Sequence, residues 1–278
     1  MSETVFLKLG GSLITEKTRQ ETPRRQVLAR VAGEIAAARR ARPGLRLVLG
    51  HGSGSYGHFA AARYGVHRGC LADWWGYAET SAAAARLDRL VVDACLEAGV
   101  PAVAVQPSAS ARTRGGELVD LTTWPLEEML ARGLVPTVYG DVALDETQGC
   151  SIVSTEAIFA CLARRLRPGR ILLAGEVDGI YTADPHRDPS ARPLPCLTVA
   201  AWRAVEERLA GAHGFDVTGG MRAKVQQMLA LAAALPGLQV WVFSGLDAGR
   251  VQRALEGEPG GTLLVAEAGP CQRVASGL

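Results

Sequence analysis

The stretch Leu45-Arg46-Leu47-Val48-Leu49-Gly50-His51-Gly52-Ser53-Gly54-Ser55-Tyr56-Gly57-His58 (LRLVLGHGSGSYGH) decides the fold. Residues 45–49 read as a buried strand. The strand ends in small residues, and then a histidine follows. Such a loop packs no side chains of its own. It lets backbone approach something closely.

Outward from this stretch, strand and helix patterns alternate. The run VFLKLG (5–10) predicts a strand that ends in Gly10-Gly11, and residues 24–42 form an Ala/Arg-rich amphipathic helix. Beyond the stretch, 79–98 predicts a helix ending at Gly99, and 100–107 a third strand. Residues 110–123 read as a polar hairpin around Gly115-Gly116, and 134–141 as a strand. A helix over 154–166, a strand over 170–175 and a turn-rich segment over 177–195 follow. Helices near 199–211 and 218–235, a strand at 238–245, a short helix and a strand at 261–266 close the chain. Strands separated by helices predict an α/β fold with a mostly parallel sheet covered on both faces. No repeat, low-complexity tract or linker interrupts 1–278, so the expectation is one unit.

Composition narrows the function classes. The 278 residues are 48% hydrophobic and 21% charged, with a formal net charge of +2. That balance suits a large globular core and names no charged partner. Scattered arginines and few aromatics give nucleic-acid binding little support. No apolar run reaches the roughly 18 residues of a membrane span, and the N-terminus lacks the pattern of a signal peptide. Cysteines 70, 95, 150, 161, 196 and 271 show no metal-ligand spacing. They read as reduced, mostly packed thiols of a cytoplasmic protein.

One bias is informative. Of 30 basic residues only Lys8, Lys17 and Lys224 are lysine, and the chain has no asparagine. In an arginine-rich background, surviving lysines mark places where a compact ammonium suits and a planar guanidinium does not. All three lie beside glycine-bearing segments. Lys8 and Lys17 flank KLGGSLITEK (8–17), and Lys224 ends DVTGGMRAK (216–224). In the last segment Thr218 is a plausible N-cap, and Gly219-Gly220 would present amides at a helix N-terminus. A fourth segment, GEVDGIYTADP (175–185), is turn-rich. Singly these are ordinary turns. Together, anion-seeking loops and three ammoniums predict two phosphate-bearing ligands facing each other. The pattern G-x-x-x-x-G-K-[ST] is absent, which excludes a Walker-type NTPase.

KLGGS, the second glycine loop, YGD, VDGIYTADP and DVTGGMRAK, in this order, resemble the amino acid kinase superfamily. HGSGSYGH with its final His58, ITEK and DVTGGM resemble the isopentenyl phosphate kinases within it. The resemblance implies an αβα three-layer sandwich. Its N-terminal half, about 1–165, would hold a phosphate acceptor, and the remainder, about 166–278, would hold ATP with Mg²⁺. It implies that Lys8, Gly10, Gly11 and Ser12 line the ATP phosphates, with Gly219, Gly220 and Lys224 completing the cradle. Lys17 would stabilise the transferring group. Ser53, Gly54 and Gly57 would lie between the ligands, and His58 would hydrogen-bond the acceptor phosphate. Glu176, Asp178 and Tyr181 would lie near the base and ribose. The implied reaction is ATP-dependent phosphorylation of isopentenyl phosphate in isoprenoid synthesis, by a homodimer.

The sequence also departs from the family pattern. Ser53 stands for a glycine and Tyr56 for a phenylalanine. IVSTEA (152–157) replaces a Ser-Gly-Asp segment, so that Thr155 and Glu156 stand at the site. GEVDG replaces Thr-Asp-Val-Asp-Gly. Glu156 would still orient a lysine, and Thr155 would narrow the site or add a hydroxyl contact. An apolar acceptor tail is expected to meet residues within 59–90, where Trp74, Trp75 and Tyr77 stand. Two rival readings remain open: a kinase of another small phosphonate or phosphate such as fosfomycin, and a non-catalytic nucleotide-binding protein on the same fold.

Overall fold

A computed structural model describes residues 3–69, 71, 73–182, 190–203, 219–267, 269 and 271. Its strands are β1 (Thr4–Leu9), β2 (Arg46–His51), β3 (Ala102–Ala104), β4 (Arg112–Arg114), β5 (Glu117–Asp120), β6 (Val135–Tyr139) and β7 (Asp141–Asp145). They continue with β8 (Gly149–Val153), β9 (Arg170–Gly175), β10 (Ile180–Tyr181), β11 (Pro193–Leu194), β12 (Cys196–Thr198), β13 (Gln239–Ser244) and β14 (Thr262–Val265). The helices are α1 (Gly11–Ile14), α2 (Arg25–Ala41), α3 (Gly54–Tyr64), α4 (Trp75–Glu97), α5 (Trp124–Ala131), α6 (Thr155–Leu166), α7 (Gly219–Ala234) and α8 (Arg250–Glu256). A further helical segment begins at 199, and its expected continuation to 211, like Thr218, lies outside the described residues.

Eight strands form one sheet in the order β12-β14-β13-β9-β1-β2-β6-β3. Only the β13–β14 pair is antiparallel. Strand side chains alternate between faces, and the sequence uses both. Val5, Leu7, Leu9, Leu47 and Leu49 enter one core with α2, α4 and α8. Phe6, Val48 and Ile171 enter a second core with α5, α6 and α7. Helices, sheet and helices therefore stack as three layers, as expected. β1 lies at the centre, between β2 and β9, so its C-terminal end meets loops from both halves of the chain.

Helix and strand positions follow the sequence reading closely. The exceptions are α3, which begins inside the stretch expected to be a loop, α5, which no pattern announced, and a second sheet. The hairpin around Gly115-Gly116 joins β7 and β8 in the order β5-β4-β7-β8. The Asp145 carboxylate ties both turns, accepting from the amides of Gly115 at 3.0 Å, Gly116 at 2.7 Å and Thr147 at 2.9 Å. Among the described residues no helix is long and apolar enough to cross a membrane.

The cysteines correct the sequence reading. Cys196 of β12 and Cys271 form a disulfide, with Cα atoms 5.4 Å apart. Their separation of 75 residues hid the pairing in the sequence. Cys95 and Cys150 are buried thiols and Cys161 is half-buried, as expected, and Cys70 lies outside the described residues.

Candidate active site

Lys8 lies on β1 level with Gly50 of β2 and Leu173 of β9. It points away from Leu7 and Leu9, toward the layer that contains α6. There its Nζ lies 2.7 Å from Glu156 Oε1, with both side chains buried. Ser154 caps α6 by accepting from the Ala157 amide at 3.1 Å, which fixes Glu156 in the first turn. Lys224, in the second turn of α7, brings its Nζ to 3.7 Å from the same Glu156 oxygen. Burial pushes the Glu156 carboxyl up, but the Lys8 and Lys224 ammoniums outweigh it and hold the pKa below the usual value. Lys224 is itself lowered, first by the Lys8 charge and then by burial.

The two N-terminal glycine loops pack against each other. The Gly10 amide donates to Ala174 O at 2.7 Å, and the Gly52 amide donates to Leu9 O at 3.0 Å. A Cβ on Gly11 would lie 2.7 Å from both Gly54 Cα and Gly54 N. A Cβ on Gly52 would lie 2.9 Å from Gly11 N. Gly54 has φ +51, and a Cβ there would strike the Thr15 hydroxyl at 2.3 Å. What Gly52 and Gly54 first approach is therefore the segment that carries Gly11 and Thr15, whereas Gly50 faces Phe159 and Thr155 of α6. Thr15 fastens the pair: its Oγ1 donates to Gly11 O at 2.7 Å and accepts from the Ser55 amide at 2.9 Å. Ser12 follows Gly11 in α1, and Ser53 precedes Gly54 at the start of α3. Gly57, one turn into α3, leaves room for Ser53, whose Cβ would lie 2.6 Å from an added methyl.

Thr155 is buried, and its Oγ1 donates to His51 O at 2.6 Å. Its hydroxyl is thus spent on the backbone at the end of β2. His51, which the sequence reading passed over, is fully buried. Its Nε2 lies 3.1 Å from Asp88 Oδ1, and its Nδ1 lies 3.0 Å from Gly52 O. Nothing in the spacing of residues 51 and 88 announces this contact.

Lys17 Nζ lies 3.5 Å from Glu176 Oε2, and Arg24 Nη1 lies 3.1 Å from Glu176 Oε1. Glu176 thereby links the end of β9 to the Lys17 loop, and Arg24 joins the site unforeseen. Asp178 instead accepts a hydrogen bond from the Tyr181 hydroxyl at 2.5 Å. His58 is exposed on α3, yet the surrounding walls partly desolvate its ring. That desolvation, and then the charges of Lys224, Lys8 and Lys17, push its pKa below the usual histidine value. All three lysines therefore act on one imidazole. Gly219 and Gly220 open α7, one turn before Lys224. A helix N-terminus beside these ammoniums suits an anion.

The aromatic stretch divides. Tyr77 packs with Tyr64 and Leu71 over Ala61, Val66, Val142 and Cys150. Trp74 touches Tyr77 at a ring separation of 5.8 Å but is 52% exposed, and Trp75 is 60% exposed.

The family model of the amino acid kinase family matches residues 3–244. The chain belongs to the amino acid kinase family. Within that family its relatives include the isopentenyl phosphate kinase of Methanothermobacter thermautotrophicus, 35% identical over 91% of this chain and 96% of its own. The isopentenyl phosphate kinase of Haloferax volcanii is 37% identical over 82% of this chain and 88% of its own. A solved isopentenyl phosphate kinase structure superposes with a TM-score of 0.80 at 32% identity, covering 94% of this chain and 99% of that one. As an amino acid kinase, the chain joins its glycine loops and lysines on the C-terminal ends of β1, β2 and β9, where open α/β sheets bind ligands.

Proposed function

We propose that the enzyme transfers the γ-phosphoryl group of ATP to isopentenyl phosphate, giving isopentenyl diphosphate and ADP. The observation that carries this reading is the gathering of Lys8 and Lys224 on Glu156, with His58 in their field and Lys17 beside it. An acceptor oxygen forms the new P–O bond as the bond from the γ-phosphorus to the ADP oxygen breaks. Bringing two phosphates together is opposed by anion–anion repulsion, so the chemistry needs position and positive charge above all. A phosphate monoester with a second pKa near 6 is already mostly dianionic at neutral pH. No strong general base is required, and His58 reads as an anchor for the acceptor phosphate. Lys8 and Lys224 would hold the ATP phosphates, and Lys17 would meet the transferring group.

Among the described residues no three His, Cys, Asp or Glu side chains gather as a metal cage. A Mg²⁺ ion would be held mainly by the nucleotide phosphates, which is how this ion is usually carried. When bound there it would neutralise phosphate charge. Glu156 reaches Lys8 at 2.7 Å despite its longer side chain, so the lysine keeps a carboxylate partner. That contact favours a working kinase over an inert nucleotide binder. The family likeness supports a homodimer, which light scattering would test.

The test is ADP release from Mg·ATP with isopentenyl phosphate, with fosfomycin, and with no acceptor. Turnover that requires isopentenyl phosphate is expected. Lys17→Arg should lose much of kcat and little ATP affinity. Turnover with fosfomycin alone, or ATP binding without turnover on either acceptor, would overturn the reading.

A further inference from the structure

Lys17 is carried on an excursion between α1 and α2. Its base is closed by a bridge between Thr15 and Pro23, by the Glu16 amide donating to Thr22 O at 2.9 Å, and by the Arg24 amide donating to Ile14 O at 2.8 Å. A closed base leaves the height of the loop to its far side. There the Glu21 amide donates to Ser55 O at 3.2 Å, and the Thr22 amide donates to Ser55 Oγ at 3.3 Å. Ser55 directly follows Gly54 in α3.

Glu21 adds a charged grip. Arg86 of α4 donates from Nε and Nη2 to the two Glu21 oxygens, a fork that fixes direction as well as distance. Glu21 has φ +48, and among the described residues only Arg167 shares a left-handed backbone without being glycine. An L-residue there costs about 1 kcal/mol or more, so a glutamate at this turn calls for a compensating contact. The fork to Arg86 is that contact. An exposed pair offsets about that much strain and leaves little net stability, so its use lies in where it holds the loop.

We propose that Glu21 and Arg86 are positioning residues that set the Lys17 loop over the Ser53-Gly54 turn, so that the Lys17 ammonium meets the transferring phosphoryl group. The proposal rests on the reading of Lys17 given above. Neither residue touches substrate; each acts through Lys17.

The experiment compares Glu21→Gln, Arg86→Gln, the double variant and the reversed pair Glu21→Arg with Arg86→Glu. Steady-state ADP release with isopentenyl phosphate, ATP Kd and Tm are read for each. Each single variant is expected to lose about ten- to a hundred-fold in kcat. ATP Kd should stay unchanged, and Tm should move by under about 3 °C. The double variant should be no slower than either single, and the reversed pair should regain most of the rate. Glu21→Gly relaxes the turn but removes the carboxylate, and should be as slow as Glu21→Gln. Wild-type kcat in the single variants, a fast Glu21→Gly, or losses that track Tm without rescue would overturn the proposal. Lys17→Ala separates the two readings. If it is slow while Arg86→Gln is fast, only the positioning role fails. If Lys17→Ala turns over normally, the assigned role of Lys17 fails and the positioning role with it.

Discussion

Lys8 Nζ and Glu156 Oε1 lie 2.7 Å apart, with both side chains buried. Lys224 shares that oxygen at 3.7 Å, so one anion holds two cations together. Glu156→Gln removes the charge and keeps the shape. Losing one partner of a buried pair costs about 3–5 kcal/mol, and the lysines would then repel. Urea midpoints should fall accordingly, with kcat falling beside them. Glu156→Asp keeps the charge and should retain most of both. ATP should restore part of the Glu156→Gln stability, because phosphate would neutralise the same lysines. A wild-type midpoint for Glu156→Gln would mean that Lys8 does not depend on this partner.

The glycine loops make a second prediction. At Gly11 an added methyl meets Gly54 backbone at 2.7 Å, and backbone cannot rotate away as a side chain can. Gly11→Ala should therefore push the 52–54 loop outward, costing about 1–3 kcal/mol by overpacking and about a hundred-fold in kcat. Gly33 is the control. It lies exposed in α2 with nothing within 4 Å of an added Cβ. Gly33→Ala should gain about 0.5–1 kcal/mol from helix propensity, with kcat unchanged. Thermal melts and ADP release on both variants decide it.

The disulfide makes a third. Non-reducing peptide mapping should find Cys196 linked to Cys271. Removing a disulfide typically costs about 2–4 kcal/mol, so reductant should lower Tm. Cys271→Ser should melt at the lower temperature with or without reductant. Equal melts of oxidised and reduced wild type would assign the crosslink no stabilising part.

Much of this was legible in the sequence, for physical reasons that apply unevenly. Near-continuous apolar runs in 5–9 and 45–49 serve two cores at once, so the central strands were readable without knowing their neighbours. The lysines stood out against the arginine background. Hidden features depended on proximity in space. The resemblance gave Glu156 one lysine to orient, but nothing announced that Lys8 and Lys224 share it, nor that Glu176 meets Arg24 or His51 meets Asp88. The β7–β8 hairpin was missed because its strands are short and half polar, and nothing announced that the Asp145 closing its turn also ties the Gly115-Gly116 turn, 29 or 30 residues away. Gly11 and Gly54 read as ligand-facing, and only their packing revealed that they first make room for each other.

His58 gives the last prediction, and its sign follows from the direction of its shift. Desolvation and the charges of Lys224, Lys8 and Lys17 hold its pKa below the usual histidine value of about 6.5. Between the folded pKa and about 6.5, the unfolded chain binds more protons than the folded chain. The contribution of His58 to stability is therefore complete above about pH 6.5 and is lost as pH falls through the folded pKa. His58→Gln should flatten that part of the pH–stability curve. Binding reverses the field. An acceptor phosphate beside His58 offsets the lysine charges and adds an anionic partner, so the pKa should rise and the ring should take up a proton near pH 6.5. Calorimetry in buffers of different ionisation enthalpy should show proton uptake with isopentenyl phosphate. His58→Gln should lose that uptake and bind the acceptor more weakly, with ATP affinity unchanged. NMR of the ring Cε1–H should show the same upward shift directly. A His58 titration indifferent to the acceptor would place the acceptor phosphate elsewhere and leave His58 without a part in binding it.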